Sequence, residues 1–446
     1  MLLETLTLYK LSDLIASNVL VIGDGYRAKN SELCPFKSGL PFARAGNINS
    51  GFQFDDADYL VAENLLKAGE KVSELGDVLF TSKGTVGRVA FVSEKTPRFV
   101  YSPQLTWWRV KDTKRIEPRF LYYWMHGREF CVQINGLRGQ TDMADYVSLR
   151  DQRQMMYVTL PPLDEQKAIA HILGTLDDKI ELNQQMNQTL EAIARALFKS
   201  WFIDFDPVRA KLDGRQPIGM DAETAALFPA EFEDSALGNI PKEWNVGVID
   251  NLIDILSGGT PKTSVPEYWE GNIPWFSVKD APTDSNVYVL ETEKYITEAG
   301  VNNSSTQILS EGATIVSARG TVGRLALVGV PMAMNQSCYG IKGKEGYPDL
   351  FTYYFLHSAI VSLQQQTHGT VFETITRQTF TTVKSINPPA AIAQAFNKAV
   401  QPSLHRVRSN LFEVGSLTSI RDALLPKLLS GEIRVQDAET VVEAVT

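Results

Sequence analysis

Apolar residues recur every three to four positions over a long stretch in the middle of the chain. The recurring positions are Ile169, Leu173, Leu176, Ile180, Asn183, Asn187, Leu190, Ala194, Leu197 and Trp201. This seven-residue repeat is typical of a helix that packs against another helix along one seam, and its central asparagines would fix the register. A helix from Asp164 to Phe202 would be about 58 Å long at about 1.5 Å per residue. Such a length predicts a partner helix.

The same pattern returns 227 residues later, again directly after two prolines, so that Pro388 and Pro389 match Pro161 and Pro162. The equivalent seam positions are Phe396, Val400, Ser403, Val407, Asn410, Val414, Leu417, Arg421, Leu424 and Leu428. Because proline forces the residue before it out of the helical region, each proline pair predicts a helix start. We therefore predict that the two helices pack together as an antiparallel pair.

Two details of this helix pair are also predicted. The heptads 180–186 and 407–413 are expected to face each other at its centre. Pro402 is expected to kink or interrupt the second helix and Pro426 to end it early, because proline removes a backbone donor and clashes with the preceding turn.

The segments that precede the two helices repeat as well. Residues 82–92 read SKGTVGRVAFV and residues 318–328 read ARGTVGRLALV, while YYWMH at 122–126 is matched by YYFLH at 353–357. Short apolar runs such as Val78 to Phe80 and Val89 to Val92 predict strands, and the patch around Phe120 to Phe130 predicts helix. The repeat indicates a tandem duplication of a mixed domain followed by a long helix.

Together these features predict an α+β chain with two repeated mixed α/β domains, separated by two long helices that form an antiparallel coiled coil. The predicted segments are a first domain (1–160), a first long helix (161–203), a linker (204–240), a second domain (241–387), a second long helix (388–430) and a tail (431–446).

Charge and cysteine usage narrow the functional classes. The net charge of −9 argues weakly against nucleic-acid binding by the chain alone, but residues 161–240 carry much of the excess, with 14 acidic and 7 basic residues. DNA affinity would then come from basic loops or from a partner. Three widely spaced cysteines predict neither a disulfide framework nor a zinc site. No export signal or run of about 18 apolar residues is evident, which predicts a cytoplasmic protein without membrane contact.

The two GTVGR segments are the most informative candidates for chemistry. Their glycines allow tight turns and close backbone approach, and the flanking basic and hydroxyl groups could hold phosphate. The alternative is a structural hairpin in which the glycines serve folding alone. Arginine suits guanine and asparagine or glutamine suits adenine in the major groove, so further loop residues are candidate readers. The candidate DNA-binding residues are Arg44, Asn47, Asn49, Lys83, Thr85, Arg88, Arg138, Gln140, Lys279, Arg319, Thr321, Arg324, Asn335, Gln336, His368 and Arg377.

No catalytic constellation or metal-ligand spacing is found, and no catalytic or metal-binding residue is predicted. Asn387, Pro388, Pro389 and Ala390 resemble the Asn-Pro-Pro-aromatic tetrapeptide of amino-group DNA methyltransferases, but the aromatic residue is missing. The first repeat has Leu160 before its two prolines, so helix entry is the favoured interpretation. A glycine-rich cofactor loop after a strand is also missing from the preceding region.

The chain resembles the specificity subunit of type I restriction-modification systems. The resemblance covers nearly the whole sequence, on PPLDEQKAIA at 161–170, LFKSWFIDFDPV at 197–208, LGNIPKEW at 237–244, SGGTPKT at 257–263, the two GTVGR segments and LLPKLLSGEI at 424–433. The first domain lacks the Ile-Pro-x-x-Trp opening of the second.

The resemblance implies a non-catalytic subunit with two target-recognition domains, each reading one half of a bipartite site in double-stranded DNA. It implies that the helices set the distance between half-sites and dock two modification subunits, with restriction subunits joining the complex. S-adenosylmethionine, ATP and Mg would be bound by those partners, and this chain would hold no cofactor. Two alternatives remain at this point: a catalytic DNA methyltransferase with a fused recognition domain, and a coiled-coil scaffold without a DNA role.

Overall fold

The computed structural model describes residues 6–49, 51–140, 145–282, 286–344, 346–366 and 374–445. The chain divides into two compact units. The first unit contains Met1–Ile180 and Ser416–Thr446, and the second contains Glu181–Gly415. Each is described by itself below.

The first unit is a mixed α/β fold. Its strands are β1 (Thr7–Lys10), β2 (Leu20–Asp24), β3 (Leu33–Cys34), β4 (Leu40–Ala43), β5 (Ile48–Asn49), β6 (Gly51–Phe52), β7 (Tyr59–Leu60), β8 (Val78–Thr81), β9 (Val89–Phe91), β10 (Val100–Tyr101), β11 (Leu105–Val110), β12 (Gly139–Gln140), β13 (Asp145–Tyr146) and β14 (Tyr157–Leu160). The helices that begin in it are α1 (Leu11–Ala16), α2 (Leu65–Ala68), α3 (Pro118–His126), α4 (Arg128–Leu137), α5 (Leu149–Met155) and α6 (Leu163–Phe202).

The second unit is also mixed. Its strands are β15 (Phe232–Ser235), β16 (Gly238–Pro241), β17 (Asn245–Val248), β18 (Ile253–Ser257), β19 (Trp269–Phe276), β20 (Tyr288–Val289), β21 (Tyr295–Ile296), β22 (Thr314–Ser317), β23 (Leu325–Val328), β24 (Ala333–Met334), β25 (Cys338–Gly343) and β26 (Lys384–Asn387). The remaining helices of the chain are α7 (Asp206–Leu212), α8 (Ala222–Ala226), α9 (Glu298–Asn302), α10 (Asp349–Gln366), α11 (Arg377–Thr382), α12 (Ala390–Ser430) and α13 (Val435–Glu443).

The main sheet of each unit carries the hairpin that contains GTVGR. In the first unit the antiparallel order is β2-β11-β8-β9, and in the second the order is β18-β25-β22-β23-β20, with only β20 parallel to its neighbour. A second sheet accompanies each, with order β10-β4-β7-β3 in the first unit and β21-β19-β24 in the second. The strands predicted at Val78 to Phe80 and Val89 to Val92 are confirmed as β8 and β9, and the predicted helical patch is formed by α3 and α4.

Each long helix follows a strand that closes its domain. β14 pairs antiparallel with β1 and is followed by α6, and β26 pairs antiparallel with β17 and is followed by α12. Asn387 is the last residue of β26, its side chain is buried, and its Oδ1 accepts a hydrogen bond from the Ser385 hydroxyl at 2.7 Å. The helix-entry interpretation of the two prolines is therefore confirmed.

The predicted seam is the buried face of α6 and α12. Of the ten seam positions predicted on α6, eight are buried and two are half-buried. Within the second unit, Asn187 bonds to Asn410, while the rings of Phe198 and Phe396 lie 5.5 Å apart. Partner numbers fall as the position on α6 rises, so the helices are antiparallel there. Within the first unit, Arg421 on α12 forms an ion pair with Asp177 on α6 at 2.9 Å.

The predicted interruption at Pro402 and the predicted early end at Pro426 are wrong. The helix continues through both Pro402 and Pro426 and ends at Ser430. Both prolines lie on its exposed face, where water can satisfy the carbonyl that loses its backbone donor. The opposite face buries Val400 and Leu404, and this apolar burial offsets the cost of about 3 kcal/mol for an internal proline.

The predicted pairing of heptads 180–186 and 407–413 is wrong by about one helical turn. Asn410 donates a hydrogen bond to Asn187 at 2.8 Å, so 407–413 faces 184–190. In an antiparallel pair a seam side chain fits between two turns of the partner helix, so a position does not meet its own repeat equivalent.

The segments predicted as linker and tail contain regular structure. Residues 204–240 include α7, α8 and most of the β15–β16 hairpin, and residues 431–446 include α13. Phe205, Val208 and Phe228 from the first of these segments are buried in the core of the second unit. The segment predicted as a linker therefore packs against the second unit.

The central asparagines are only partly satisfied, and this leads to a stability prediction. Asn187 Nδ2 and Asn410 Oδ1 are buried without a hydrogen-bond partner among the described residues, beyond the single bond between the two side chains. Asn410→Leu should lower the free energy of unfolding by about 1–3 kcal/mol, because it leaves Asn187 unpaired in an apolar seam. Asn187→Leu combined with Asn410→Leu should be at least as stable as the unsubstituted chain. Urea unfolding followed by circular dichroism measures both, and equal losses in the single and double variants would contradict the prediction.

Candidate nucleic-acid interface

The first GTVGR loop, residues 82–88, joins β8 to β9 and is held by a hydroxyl group. Thr81 Oγ1 accepts a hydrogen bond from the Arg88 backbone N–H at 3.0 Å and donates to the Thr85 carbonyl. The Gly87 N–H donates to the Thr81 carbonyl at 2.9 Å. One side chain thus closes both sides of the turn.

The second GTVGR loop, residues 318–324, joins β22 to β23 with the same bonds. Ser317 Oγ accepts from the Arg324 N–H at 2.8 Å and donates to the Thr321 carbonyl at 2.6 Å, and the Gly323 N–H donates to the Ser317 carbonyl at 2.9 Å. Sequence reasoning missed Thr81 and Ser317, although both are hydroxyl residues at the spacing of the repeat. We call this arrangement the hydroxyl-clamped loop.

The glycines of both loops are required by backbone conformation. Gly84 and Gly87 have φ of 81° and 103°, and Gly320 and Gly323 have φ of 81° and 83°. A Cβ atom at Gly84, Gly87 or Gly320 would meet nothing within 4 Å, so space in the protein itself is not the constraint at these three positions. The left-handed conformation favours glycine at each position. The loops are therefore open on the side where a Cβ would lie.

In the first unit, Arg88 connects the clamped loop to the turn at 44–49. Its guanidinium donates to Asn49 Oδ1 at 2.7 Å and to the carbonyls of Ala45 and Ile48 at 3.3 and 3.2 Å. Arg88 and Asn49 are thus brought together, as their assignment to one surface requires. The Arg88 bonds also show that its charge helps to order a neighbouring loop.

The other candidates in the 44–49 turn have partners of their own. Arg44 forms an ion pair with Asp58 at 2.7 Å. Asn47 Oδ1 accepts from the Arg44 N–H at 2.8 Å, and its Nδ2 donates to the Gln53 carbonyl at 2.9 Å. The Asn47 amide therefore holds its own turn in this structure, while Arg44 is partly exposed beside it.

On its other side the clamped loop meets the β12–β13 hairpin. The Gly84 N–H donates to the Asp145 carbonyl at 3.0 Å, and Lys83 forms a backbone bridge with Tyr146. Arg138 lies beside Asp145 at 3.4 Å, and Gln140 is paired with Asp145 in the strand register. The side chains of Lys83 and Thr85 are exposed. The candidates of the first domain thus lie on three segments, and the clamped loop contacts each of the other two.

In the second unit, three candidates line one open cavity of about 350 Å³. They are Lys279, Arg319 and Asn335. Lys279 lies 3.9 Å from Glu293, and Asn335 Oδ1 accepts from the Ser337 N–H at 3.0 Å. Lys294 and Asp280 line the same cavity and were missed, because neither belongs to a repeated motif.

The remaining candidates of the second domain are spread more widely. Arg377 donates to Ser257 Oγ at 3.0 Å and to the Ile255 carbonyl at 3.3 Å, and Gln336 accepts a hydrogen bond from the Thr260 hydroxyl. Thr321 is exposed on its loop. Arg324 lines a different cavity from Arg319. His368 lies outside the described residues.

Comparison with known proteins gives the family. The family model described as "Type I restriction modification DNA specificity domain" matches residues 8–192 and 241–398. The chain belongs to this family. The relatives of this specificity subunit include the type I restriction enzyme HindI specificity subunit of Haemophilus influenzae, which is 28% identical over 406 residues, covering 82% of this chain and 88% of the relative.

Two further matches agree with this assignment. The MjaIX specificity subunit of Methanocaldococcus jannaschii is 25% identical over 366 residues, covering 81% of this chain and 78% of the relative. The crystal structure of a type I restriction-modification S subunit from M. genitalium matches 95% of this chain and 96% of its own with a TM-score of 0.58 at 13% identity, which shows a shared fold.

The prediction of a type I specificity subunit, which recognises DNA sequence and is not itself catalytic, is confirmed by these matches. The methyltransferase and scaffold alternatives are not favoured. Across the described ranges, no helix is long and apolar enough to cross a membrane, and no group of three or more His, Cys, Asp or Glu side chains could hold a metal ion.

Proposed function

We propose that the specificity subunit reads a bipartite site in double-stranded DNA, with one half-site for each of two repeated domains, 1–160 and 241–387. The observation that carries this proposal is the hydroxyl-clamped loop, which occurs in both units with the same bonds and with a basic side chain directly before its first glycine. Two copies of one loop geometry are expected where two domains bind the same class of ligand.

The chemistry around the two loops differs in the way that two different half-sites require. In the first unit the backbone of exposed Lys83 bridges Tyr146, next to the Asp145 that pairs with Arg138, whereas exposed Arg319 shares a cavity with Lys279 and Asn335 in the second. Cations suit phosphate oxygens and guanine, and an amide suits adenine. We propose the sixteen candidate residues as the set from which base and phosphate contacts are drawn.

The partners and cofactors follow from the same proposal. Two modification subunits would dock on α6 and α12, and restriction subunits would complete the complex, in line with the type I restriction enzymes after which the relatives are named. S-adenosylmethionine, ATP and Mg would be bound by those subunits, and this chain would bind none of them. Calorimetric titration of S-adenosylmethionine into the purified chain should give no heat of binding, and a saturable signal would refute this assignment.

Substitution of the equivalent basic residues tests the proposed division of the DNA site. Arg319→Ala should weaken recognition of one half-site by about 1–3 kcal/mol and leave the other unchanged, because the lost cation contacts DNA in the second domain only. Lys83→Ala is the matched control at the equivalent repeat position and should affect the opposite half-site. Methylation mapping in cells that express each variant with the modification subunits measures both. If Arg319→Ala altered both half-sites equally, the one-domain-per-half-site assignment would be wrong.

A further inference from the structure

The two arginines around the second clamped loop face different surroundings. Arg319 shares its cavity with Lys279 and Asn335. Arg324, five residues later, lines a separate cavity of about 290 Å³ with Arg195 of α6 and His357 of α10. This second cavity, which we call the helix-side cavity, therefore joins the loop to one of the long helices within the same unit.

The described residues that line the helix-side cavity carry an excess of positive charge. Arg324 is exposed, and its guanidinium makes no hydrogen bond or ion pair with any described residue. Arg195 is half exposed and pairs with Glu191, whose side chain is 7% exposed and is the one carboxylate among the described lining residues. Burial, together with the Arg195 guanidinium, lowers the pKa of His357 below its usual range. Its ring is therefore neutral at pH 7 and keeps one N–H donor.

The equivalent place in the first unit has the opposite charge balance. A cavity of about 290 Å³ is lined there by Tyr122, His126 and Arg421, and also by two carboxylates. Arg421 bonds to Asp177 at 2.9 Å and to Asp422 at 2.7 Å, so its charge is fully compensated. The first loop contributes no cation to that cavity, since Arg88 is bonded to the turn at 44–49. An anion would be accepted in the second unit and repelled in the first.

We propose that Arg195, Arg324 and His357 bind one phosphate oxyanion, and that its source is a backbone phosphate of the bound duplex beside the half-site read by the second domain. This inference rests on the proposed function and extends it from the loops to α6. Two guanidinium groups and an imidazole N–H supply the donors that phosphate oxygens accept. The long helix would then contribute a direct DNA contact, and only in the second unit.

Neutral phosphate analogues test the contact in the complex assembled with the modification subunits. Each backbone phosphate around the second half-site is replaced, one at a time, by methylphosphonate, and the dissociation constant is measured at fixed salt. With the wild-type protein, methylphosphonate at one position should raise the dissociation constant. With the Arg195→Gln or Arg324→Gln protein, the same replacement should leave the dissociation constant unchanged. Each variant should also reduce the slope of log Kd against log salt concentration by about 0.9, the value for one phosphate contact.

Three controls make the outcome decisive. Arg324→Gln breaks no bond within the described residues, so its effect is not one of folding. Arg195→Lys keeps the charge and should restore the salt slope. Arg421→Gln makes the same change in the equivalent cavity of the first unit and should leave the slope unchanged. The inference would be overturned if Arg195→Gln and Arg324→Gln both showed the same salt slope and the same response to methylphosphonate as the wild-type protein.

The remaining outcomes are separable. In one outcome, inorganic phosphate at constant ionic strength competes with DNA in an Arg324-dependent way, but no methylphosphonate replacement changes the dissociation constant. The site then binds free anion, and the DNA contact is refuted. If Arg319→Ala weakens its half-site while Arg195→Gln and Arg324→Gln have no effect, this inference fails and the proposed function stands. If Arg319→Ala also has no effect, the proposed function itself fails.

Discussion

Removing one heptad from each long helix, residues 184–190 and 407–413, is expected to shorten the spacer between the two half-sites by about three base pairs. Seven helical residues span about 10.5 Å, and B-form DNA rises about 3.4 Å per base pair. Both helices run without a break from residues of one unit to residues of the other, so we expect the deletion to shorten this continuous helical connection. The half-site sequences should not change, because the loops are untouched.

The contact between Asn187 and Asn410 fixes which heptads must be removed together. Deleting whole heptads keeps the apolar seam in phase, and deleting facing heptads removes Asn187 together with its hydrogen-bond partner Asn410. Removing 180–186 with 407–413 would instead retain Asn187 and remove its partner. Deleting the two heptads that face each other therefore tests the effect of helix length with the smallest loss of packing between the helices.

The old site should be methylated very poorly by the shortened chain. A change of about three base pairs also rotates one half-site by about 100° around the duplex, given about 10–10.5 base pairs per turn. Duplication of the same two heptads is the matched control and should lengthen the spacer by the same amount. Methylation mapping gives the new site directly, after circular dichroism has shown that each variant is folded. A folded deletion variant that still methylates the original spacing would show that the helices do not measure the gap.

The long helices could be predicted because the pattern that indicates them is spread over many residues. Ten seam positions repeat with one period, and no single residue decides the outcome. The continuation of α12 through Pro402 and Pro426 was not predicted, because the rule that proline breaks a helix takes no account of which helix face the proline occupies. Both lie on the exposed face, and the apolar seam behind them keeps the helix continuous. Here tertiary packing outweighed local propensity.

The candidate site was predicted only as far as its loops. The GTVGR repeat located both turns, but identical letters did not predict identical surroundings. Arg88 is bonded to Asn49, whereas its equivalent Arg324 makes no such bond and faces Arg195. The difference arises from neighbouring segments whose sequences are not repeated. Spacing along the chain carries no information about such contacts.

The charged network in the core of the first unit had no sequence signal at all. Arg109 donates to both oxygens of Asp77 at 2.7 and 2.8 Å, and it also bonds to Glu74 and to the Val72 carbonyl at 2.9 Å. Asp77 is fully buried and Arg109 is 4% exposed. Charged residues are ordinarily predicted to lie on the surface, because burying a charge costs free energy unless it is paired. The partners here are too far apart in sequence to suggest pairing.

Arg109→Met is expected to destabilise the first unit by about 3–5 kcal/mol, because it leaves the Asp77 carboxylate buried without its cation. Burial and the Asp77 carboxylate raise the pKa of Tyr101 well above its usual range, so the phenol stays protonated and still donates to Asp77 at 2.6 Å. One neutral donor cannot replace a guanidinium that makes two bonds to the same carboxylate. Hydrogen exchange of β8 and β11 measures the loss in this unit separately from the second unit.

Two further variants identify the cause of that loss. Asp77→Asn in the Arg109→Met background removes the uncompensated charge, keeps an acceptor for Tyr101, and should recover part of the stability. Lys242→Met breaks the ion pair between Lys242 and Glu231, whose side chains are 52% and 64% exposed, and should cost far less than Arg109→Met because solvent screens exposed charges. A loss of less than about 1 kcal/mol for Arg109→Met would show that the ion pairs do not hold the unit together. A large loss that Asp77→Asn does not relieve would instead assign it to the packing of Arg109 over the Trp107 ring, 4.7 Å away.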